Sequence, residues 1–303
     1  MKKNIQILQK SGSIEKRQAV STLIQSRVPI FAPVKQLPIR QNRDIEIDTP
    51  YGTVIFEKCR LTQIHRNILD CIFTYYHARH FNRDGSVAFL ISLRQLQKRL
   101  GIKATHHQWI MDKLKELKNS TMVIKSKGKT FGILTGVVRK ARYSTVKITD
   151  NKLLNLNLNT ESFYYGIVFE SEYMQIFRED INIHSEKLTE SIIKLKDAFL
   201  QAFVRFCLTH RQLNMQIYEV FKVIGIKGGE RYLRKLRQKL EGRKEEIEKE
   251  FGIKVENNCV FYNQHTKIWF ESPVKSGETA INQPERPIDT GLGTGLICKA
   301  ELV

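Results

Sequence analysis

The chain repeats a short pattern. "LGIKATHHQW", beginning at Leu100, and "IGIKGGERYL", beginning at Ile224, share Gly-Ile-Lys, with helical periodicity on both sides of it. Such self-similarity suggests two copies of one supersecondary unit, so the flanking segments are best read together. In the first copy, "LTQIHRNILDCIFTYYHARH" (61–80) reads as an amphipathic helix with Thr62 at its N-cap and Ile64, Ile68 and Ile72 on one side. A turn at "NRDG" and a short strand, "VAFLI", follow. Ser92 with Gln95 forms a capping-box pattern opening "LRQLQKRL", which should stop at Gly101, where a left-handed residue suits a helix end. Thr105 and Gln108 offer a second capping box opening "HHQWIMDKLKEL". The order is helix, short turn, helix, followed in "TMVIKSKGKTFGILTGVV" by two alternating strands about a basic turn, Lys125 to Lys129, the shape of a wing.

The second copy repeats that order. "IIKLKDAFLQAFVRFCLTH" reads as one apolar-faced helix, "NMQIYEVFKVIG" as a capped helix ending at Gly225, and "GERYLRKLRQKL" as the next helix, continuing through "EGRKEEIEKEF". "IKVENNCVFYNQHTKIWFE" then supplies two strands with a turn near Asn263 to His265. The expected fold class is α+β: two tandem winged-helix domains, each a helix-turn-helix plus a β-wing. Residues 1–43 are expected to be a flexible basic N-terminal arm, 44–180 the first domain, 181–272 the second, and 273–303 a flexible C-terminal tail.

Charge says what such a pair would meet. The 303 residues carry a formal net charge of +19 with a pI near 9.7, which points to a polyanionic partner. The charge is unevenly placed. Residues 1–43 hold nine basic residues against Glu15 alone, and 87–140 hold twelve against Asp112 and Glu116, whereas 150–190 hold eight acids and three bases. Between Lys222 and Lys239 there are seven Lys or Arg and one acid, Glu230, so the alternation of signs usual on a solvated helix is missing. On a helical wheel Tyr232, Leu233, Leu236 and Leu240 gather on one side and Arg231, Arg234, Lys235 and Gln238 on the other.

Several chemistries find no support. There is no G-x-x-x-x-G-K-[ST] phosphate loop, and "GLGTG" (291–295) lacks the strand and helix that would make it one. His77, His80, His106 and His107 have no thiol or carboxylate at ligand spacing, so no metal site is expected. The five cysteines are scattered and never in Cys-x-x-Cys spacing, which fits reduced thiols. No cofactor and no enzymatic activity are expected. No apolar run is long enough to span a membrane, and the basic N-terminus lacks a signal-peptide core, so a cytoplasmic location is expected.

The stretches "LTQIHRNILDCIF" and "SLRQLQKRLGI", and "KLKDAFLQAFVRFCLTH" followed by "GGERYLRKLRQKLEGRKEEIEKEFGIKV", resemble plasmid replication initiators with two winged-helix domains. "IDTPYGTVIFEKCRLTQIHRNILD" resembles the start of the first domain in the branch that includes broad-host-range initiators. The resemblance covers about residues 44–272. It implies binding of repeated origin sequences, called iterons, by monomers, repression of the initiator's own gene by dimers, and recruitment of host replication proteins such as a helicase or an initiator. It also implies that the second winged helix makes much of the base contact.

The charge pattern favours the same division. Arg231, Arg234, Lys235 and Gln238 are assigned the stronger base reading, since Arg can pair with the two major-groove acceptors of guanine and Gln with adenine. Gln108, Lys115 and Asn119, on the outward face of the first reading helix, are assigned a weaker reading role. Lys222, Lys227, Arg237 and Lys239, with Lys125, Lys127 and Lys129 in the wing, are assigned to phosphates. "KQLPI" (35–39) faintly resembles pentapeptides that bind the sliding clamp, though proline interrupts the pattern and a strand lead-in is the simpler reading. Two other readings remain open. One is a winged-helix transcriptional regulator without a replication role; the other is an RNA-binding protein using Phe261, Tyr262, Trp269 and Phe270.

Overall fold

The computed structural model describes residues 9–10, 18–37, 45–57, 60–126, 132–135, 137–144, 164–179 and 181–264, all within one compact unit, Met1–Lys267. The elements among them begin with β1 (Gln9–Lys10), β2 (Gln18–Thr22), α1 (Leu23–Arg27), β3 (Phe31–Ala32), β4 (Ile45–Thr49), β5 (Gly52–Phe56) and β6 (Leu61–Thr62). Next come α2 (Gln63–Tyr75), β7 (Ala78–Phe81), β8 (Val87–Ser92), α3 (Leu93–Leu100), α4 (His107–Asn119), β9 (Met122–Ser126), β10 (Gly132–Thr135), β11 (Val138–Ser144), β12 (Tyr164–Phe169) and α5 (Ser171–Glu179). The remainder is β13 (Ile181–Ser185), α6 (Glu186–Lys194), α7 (Ala198–Cys207), β14 (Gln212–Gln216), α8 (Ile217–Val223), α9 (Glu230–Glu241), α10 (Lys244–Phe251), β15 (Ile253–Glu256) and β16 (Cys259–Asn263). The chain is thus a mixed α+β fold.

The core forms around α2, which is buried on almost every side. Its apolar side meets the five-stranded sheet β1-β7-β8-β12-β11, where the Phe73 ring lies 5.2 Å from Phe89 and 4.9 Å from Phe169. Its polar side meets α7, where Arg205 donates to Gln63, Asn67 and Asp70. A helix buried all round has to satisfy its polar groups internally, and here charged and amide side chains do so in pairs. A second sheet, β10-β9-β5-β4, and a third, β14-β16-β15, complete the layers, together with the pairs β13-β2 and β3-β6.

Local signals placed several ends correctly. Ser92 Oγ accepts from the Gln95 N–H at 3.4 Å, and Gly101 closes α3 in the left-handed conformation at φ 66°. Half of that capping box forms, because Gln95 Oε1 is buried without a hydrogen bond. β9 pairs antiparallel with β10, with Gly132 opposite Lys125, so two strands form on either side of the basic stretch. Its other edge pairs with β5, so the hairpin is part of a four-stranded sheet.

Other expectations are corrected. The helix expected over 61–80 ends at Tyr75, and Ala78–Phe81 instead pairs antiparallel with β8 across the Asn82–Gly85 turn. Thr105 does not cap α4: it lies in a 3-10 turn, Ala104–His106, and Gln108 Nε2 donates to Asp112 instead. The single helix expected over 192–210 is broken between α6 and α7, where Lys196 turns left-handed at φ 54° and Asp197 accepts from the Leu200 N–H. "NMQIYEVFKVIG" begins as strand β14, paired with β16, before α8 starts. Helix α9 does not run on into α10, because the chain breaks at Gly242 and Arg243. A hairpin turn not anticipated falls at Asn257 and Asn258, between β15 and β16; both asparagines have positive φ, 48° and 64°, as a two-residue primed turn requires, and the turn expected near Asn263 to His265 runs into residues outside those described.

The flexible arm expected over 1–43 is corrected where the structure describes it. β2 pairs with β13, Ile24, Val28, Ile30, Phe31 and Ala32 are buried, and Thr22 and Gln25 form a complete capping box on α1. The apolar run from Val28 to Ala32 explains the difference, since basic neighbours do not keep such a run in water. The tail expected at 273–303 lies outside the described residues.

Candidate nucleic-acid interface

The turn between α8 and α9 is set by two glycines. Gly225 follows α8 at φ 80°, a conformation with little cost only for glycine, and a Cβ there would stand 2.8 Å from Pro29 Cβ. Gly228 leaves room for the Tyr232 ring, whose Cδ1 would be 2.5 Å from an added Cβ. Helix α9 then starts from Gly229. Leu236 and Leu240 are buried, Leu233 is half-buried, and Arg231, Arg234, Lys235 and Gln238 are exposed, so the two faces expected from the periodicity are present. Tyr232 is the departure: it is 41% exposed rather than part of the packed face.

The cationic side is largely uncommitted. Arg234 Nη2 makes an exposed contact with Glu230 Oε2 at 3.3 Å, one turn earlier, which is the kind of surface pair worth about 0.3 to 0.5 kcal/mol and readily exchanged for another anion. Lys222 and Lys227 are exposed, and Arg237 is half-buried. Lys239 is engaged by Asp197 at 2.7 Å. Burial pushes the Asp197 carboxyl up, but Lys239 and the N–H groups of Leu200 and Phe199 outweigh it, leaving the pKa below its ordinary value. That ion pair ties α9 to the N-terminus of α7.

Gln108, Lys115 and Asn119 are all exposed on α4. Gln108 and Lys115 both donate to Asp112 Oδ1, at 2.9 and 3.1 Å. Their donors are therefore partly occupied by a carboxylate that would itself repel a phosphate. Ile110, Leu114 and Leu117 are buried as expected, with Trp109 half-buried against the core. The opposite side of α4 is pinned by Glu116, which accepts from His65 Nε2 at 2.9 Å. Lys125 is exposed on β9, and Lys127 and Lys129 lie outside the described residues. In "KQLPI", Lys35 and Gln36 are exposed and Leu37 is half-buried; Pro38 and Ile39 lie outside the described residues.

The tertiary structure adds what the sequence did not indicate. A groove of about 380 Å³ adjoins the start of α9, lined by Leu37, Ile45, Ile47, Arg60, Ile226 and Tyr232 among others. Burial lowers the Arg60 pKa from its ordinary value. These residues come from four separate stretches, so no local motif could reveal them. On the β7–β8 hairpin the Arg79 guanidinium lies between the Tyr76 and Phe81 rings, 5.7 and 5.3 Å from their centroids, and Phe81 is 56% exposed. Among the described residues, no group of three or more His, Cys, Asp or Glu could hold a metal ion.

No protein-family model matches the chain, and no curated protein matches it. Its backbone is similar to two solved structures of RctB. One, of SeMet derivatives of domain 2 and domain 3 of RctB, is 10% identical, with 74% of this chain and 85% of that chain covered and a TM-score of 0.46. The other, of RctB domains 2-3, is also 10% identical, with 79% and 94% covered and a TM-score of 0.42.

Proposed function

We propose that this protein is a plasmid replication initiator: it binds repeated origin sequences as a monomer, helps to open the origin, recruits host replication proteins, and represses its own gene as a dimer. The observation that carries this reading is α9, a helix with Leu236 and Leu240 buried and Arg231, Arg234, Lys235 and Gln238 exposed, set after a tight glycine turn. The two copies act as tandem winged helices. α9 enters a major groove and reads base edges, while Lys222, Lys227 and Arg237 meet phosphates. α4 contributes the weaker contacts of Gln108, Lys115 and Asn119, and the β9–β10 hairpin adds those of Lys125, Lys127 and Lys129. Two such readers about one helical turn apart would cover a site of roughly 20 base pairs.

Opening DNA needs free energy, and this reading gives the protein no nucleotide site and no catalytic role. A specific complex is worth about 11 to 15 kcal/mol, against about 1.4 kcal/mol of stacking for each opened step. Only binding that differs between closed and opened DNA helps, so several bound copies, negative supercoiling and a host helicase or initiator act together. The sliding clamp is a further, weaker candidate partner through Lys35 to Ile39. Action on plasmid DNA places the protein in the bacterial cytoplasm; no helix among the described residues is long and apolar enough to cross a membrane.

The test is footprinting of the wild type and Arg234→Ala on the DNA beside the protein's own gene, at one fixed salt concentration. Regularly repeated protected sites that disappear in the variant are expected. A single protected operator would replace this reading with that of a winged-helix transcriptional regulator, and unchanged protection would remove Arg234 from base reading.

A further inference from the structure

The groove beside the start of α9 combines two kinds of wall. Pro33, Val34, Leu37, Ile45, Ile47 and Ile226 supply apolar surface, and Arg60 and Lys227 bring two cations to it. None of its described lining residues is acidic. Both cations adjoin the turn that precedes α9: Arg60 Nη2 would stand 3.8 Å from a Cβ added at Gly225, and Lys227 follows Gly225 by two positions. Ile45 and Ile47 stand on one face of β4, two residues apart.

At about 380 Å³ the groove falls in the size range of sites that hold small molecules, about 300 to 1,000 Å³. Arg60 is half-buried, and burial lowers its pKa, yet a guanidinium stays charged at neutral pH. Its planar fork of N–H donors can take a carboxylate in addition to what it already touches. Apart from these two cations and the Tyr232 hydroxyl, the lining side chains offer no hydrogen-bonding group. An extended peptide carries polar groups along its whole length, and each one buried without a partner is costly. An alkyl carboxylate carries them at one end only, as the groove does.

We propose that this groove binds a free medium-chain fatty acid, its alkyl chain against Leu37, Ile45 and Ile47 and its carboxylate on Arg60 and Lys227. The ligand fastens the N-terminal segment and β4 to the turn before α9. The site does not depend on the DNA-binding role, and its test contains no DNA.

The test uses the full chain with sodium decanoate as the probe. Thermal unfolding is followed with decanoate, with butyrate, which has the charge without the chain, and with decyltrimethylammonium, which has the chain with the opposite charge, all at one concentration below micelle formation. A Tm several degrees higher in decanoate alone is expected. Calorimetric titration of decanoate should be about tenfold weaker for Arg60→Gln and weakened also for Lys227→Gln. Lys227 is exposed, so folding of that variant is not at stake. With isoleucine methyl groups labelled, nuclear Overhauser contacts from decanoate should reach Ile45 and Ile47. No rise in Tm, an equal rise with decyltrimethylammonium, unchanged affinity in both variants, or contacts only to isoleucines elsewhere would overturn the proposal.

Discussion

Arg205 of α7 grips Asp70 of α2 through two nitrogens, Nη2 at 2.9 Å and Nε at 3.2 Å from the same carboxylate oxygen, although the residues are 135 positions apart. Burial lowers the Arg205 pKa to about 10, with the nearby Arg66 charge adding to the effect, so the group remains a cation at neutral pH. Replacing it leaves Asp70 with less compensation and strands the Gln63 and Asn67 carbonyl oxygens. Arg205→Met should therefore destabilise the fold by about 3 to 5 kcal/mol. Urea unfolding followed by circular dichroism measures this, and a loss under about 1 kcal/mol would mean that the network contributes little.

Gly225 and Gly228 make a contrasting pair. Gly225→Ala meets both a positive φ and the Pro29 ring, so it should cost about 1 to 3 kcal/mol. At Gly228 a new Cβ meets the Tyr232 side chain, with Cδ1 at 2.5 Å, Cγ at 3.3 Å and Cβ at 3.4 Å, and that side chain is partly exposed and can swing aside. Gly228→Ala should leave stability within about 0.5 kcal/mol of the wild type. Parallel urea titrations compare the two, and equal losses would contradict the role assigned to Pro29.

His65 gives stability a pH dependence with a definite sign. Its Nδ1 accepts from the Thr62 N–H at 3.0 Å, which places the proton on Nε2, facing Glu116. Burial holds its pKa below the ordinary 6.5, so below that pH the unfolded chain binds a proton that the folded chain resists, and stability falls. His210, also lowered by burial, acts in the same direction. Glu116 is depressed to about 2, first by its hydrogen bond with His65, so its contribution is present above about pH 4.5 and is lost as the pH drops towards 2. His65→Gln should shrink the fall in urea midpoint between pH 7.5 and 5.5 without abolishing it. An unchanged fall would rule His65 out as its source.

The residues assigned to DNA under the proposed function should separate by salt. If Arg234 reads a base, Arg234→Ala should cost about 1 to 3 kcal/mol at one position of the site and relax its specificity. If Lys227 meets a phosphate, Lys227→Ala should weaken all sequences alike and reduce the slope of log K against log salt by about 1. Fluorescence anisotropy on matched and mismatched duplexes over a salt series distinguishes them. Identical behaviour of the two variants would collapse the division between reading and positioning.

The ends of α3 and the two faces of α9 were legible in the residue string because they depend on neighbours within one or two turns. Ser92 sits three residues from the N–H it caps, Gly101 needs only its own backbone freedom, and the leucines of α9 recur at the helical period. The break at Lys196 and Asp197 was marked by a capping residue type, yet Ile192, Leu195, Phe199 and Phe203 keep a helical period through it, and that period hid the signal. The tertiary structure alone decided which segments pair and which charges become buried. Gln18–Thr22 is a strand because Ile181–Ser185 lies beside it, and "QLNMQ" is a strand because β16 does. Arg66 and Arg205 came to share Asp70 only when α2 and α7 were brought together. Periodicity and capping are local and written in consecutive residues, whereas strand partners and buried ion pairs depend on which distant surfaces exclude water together.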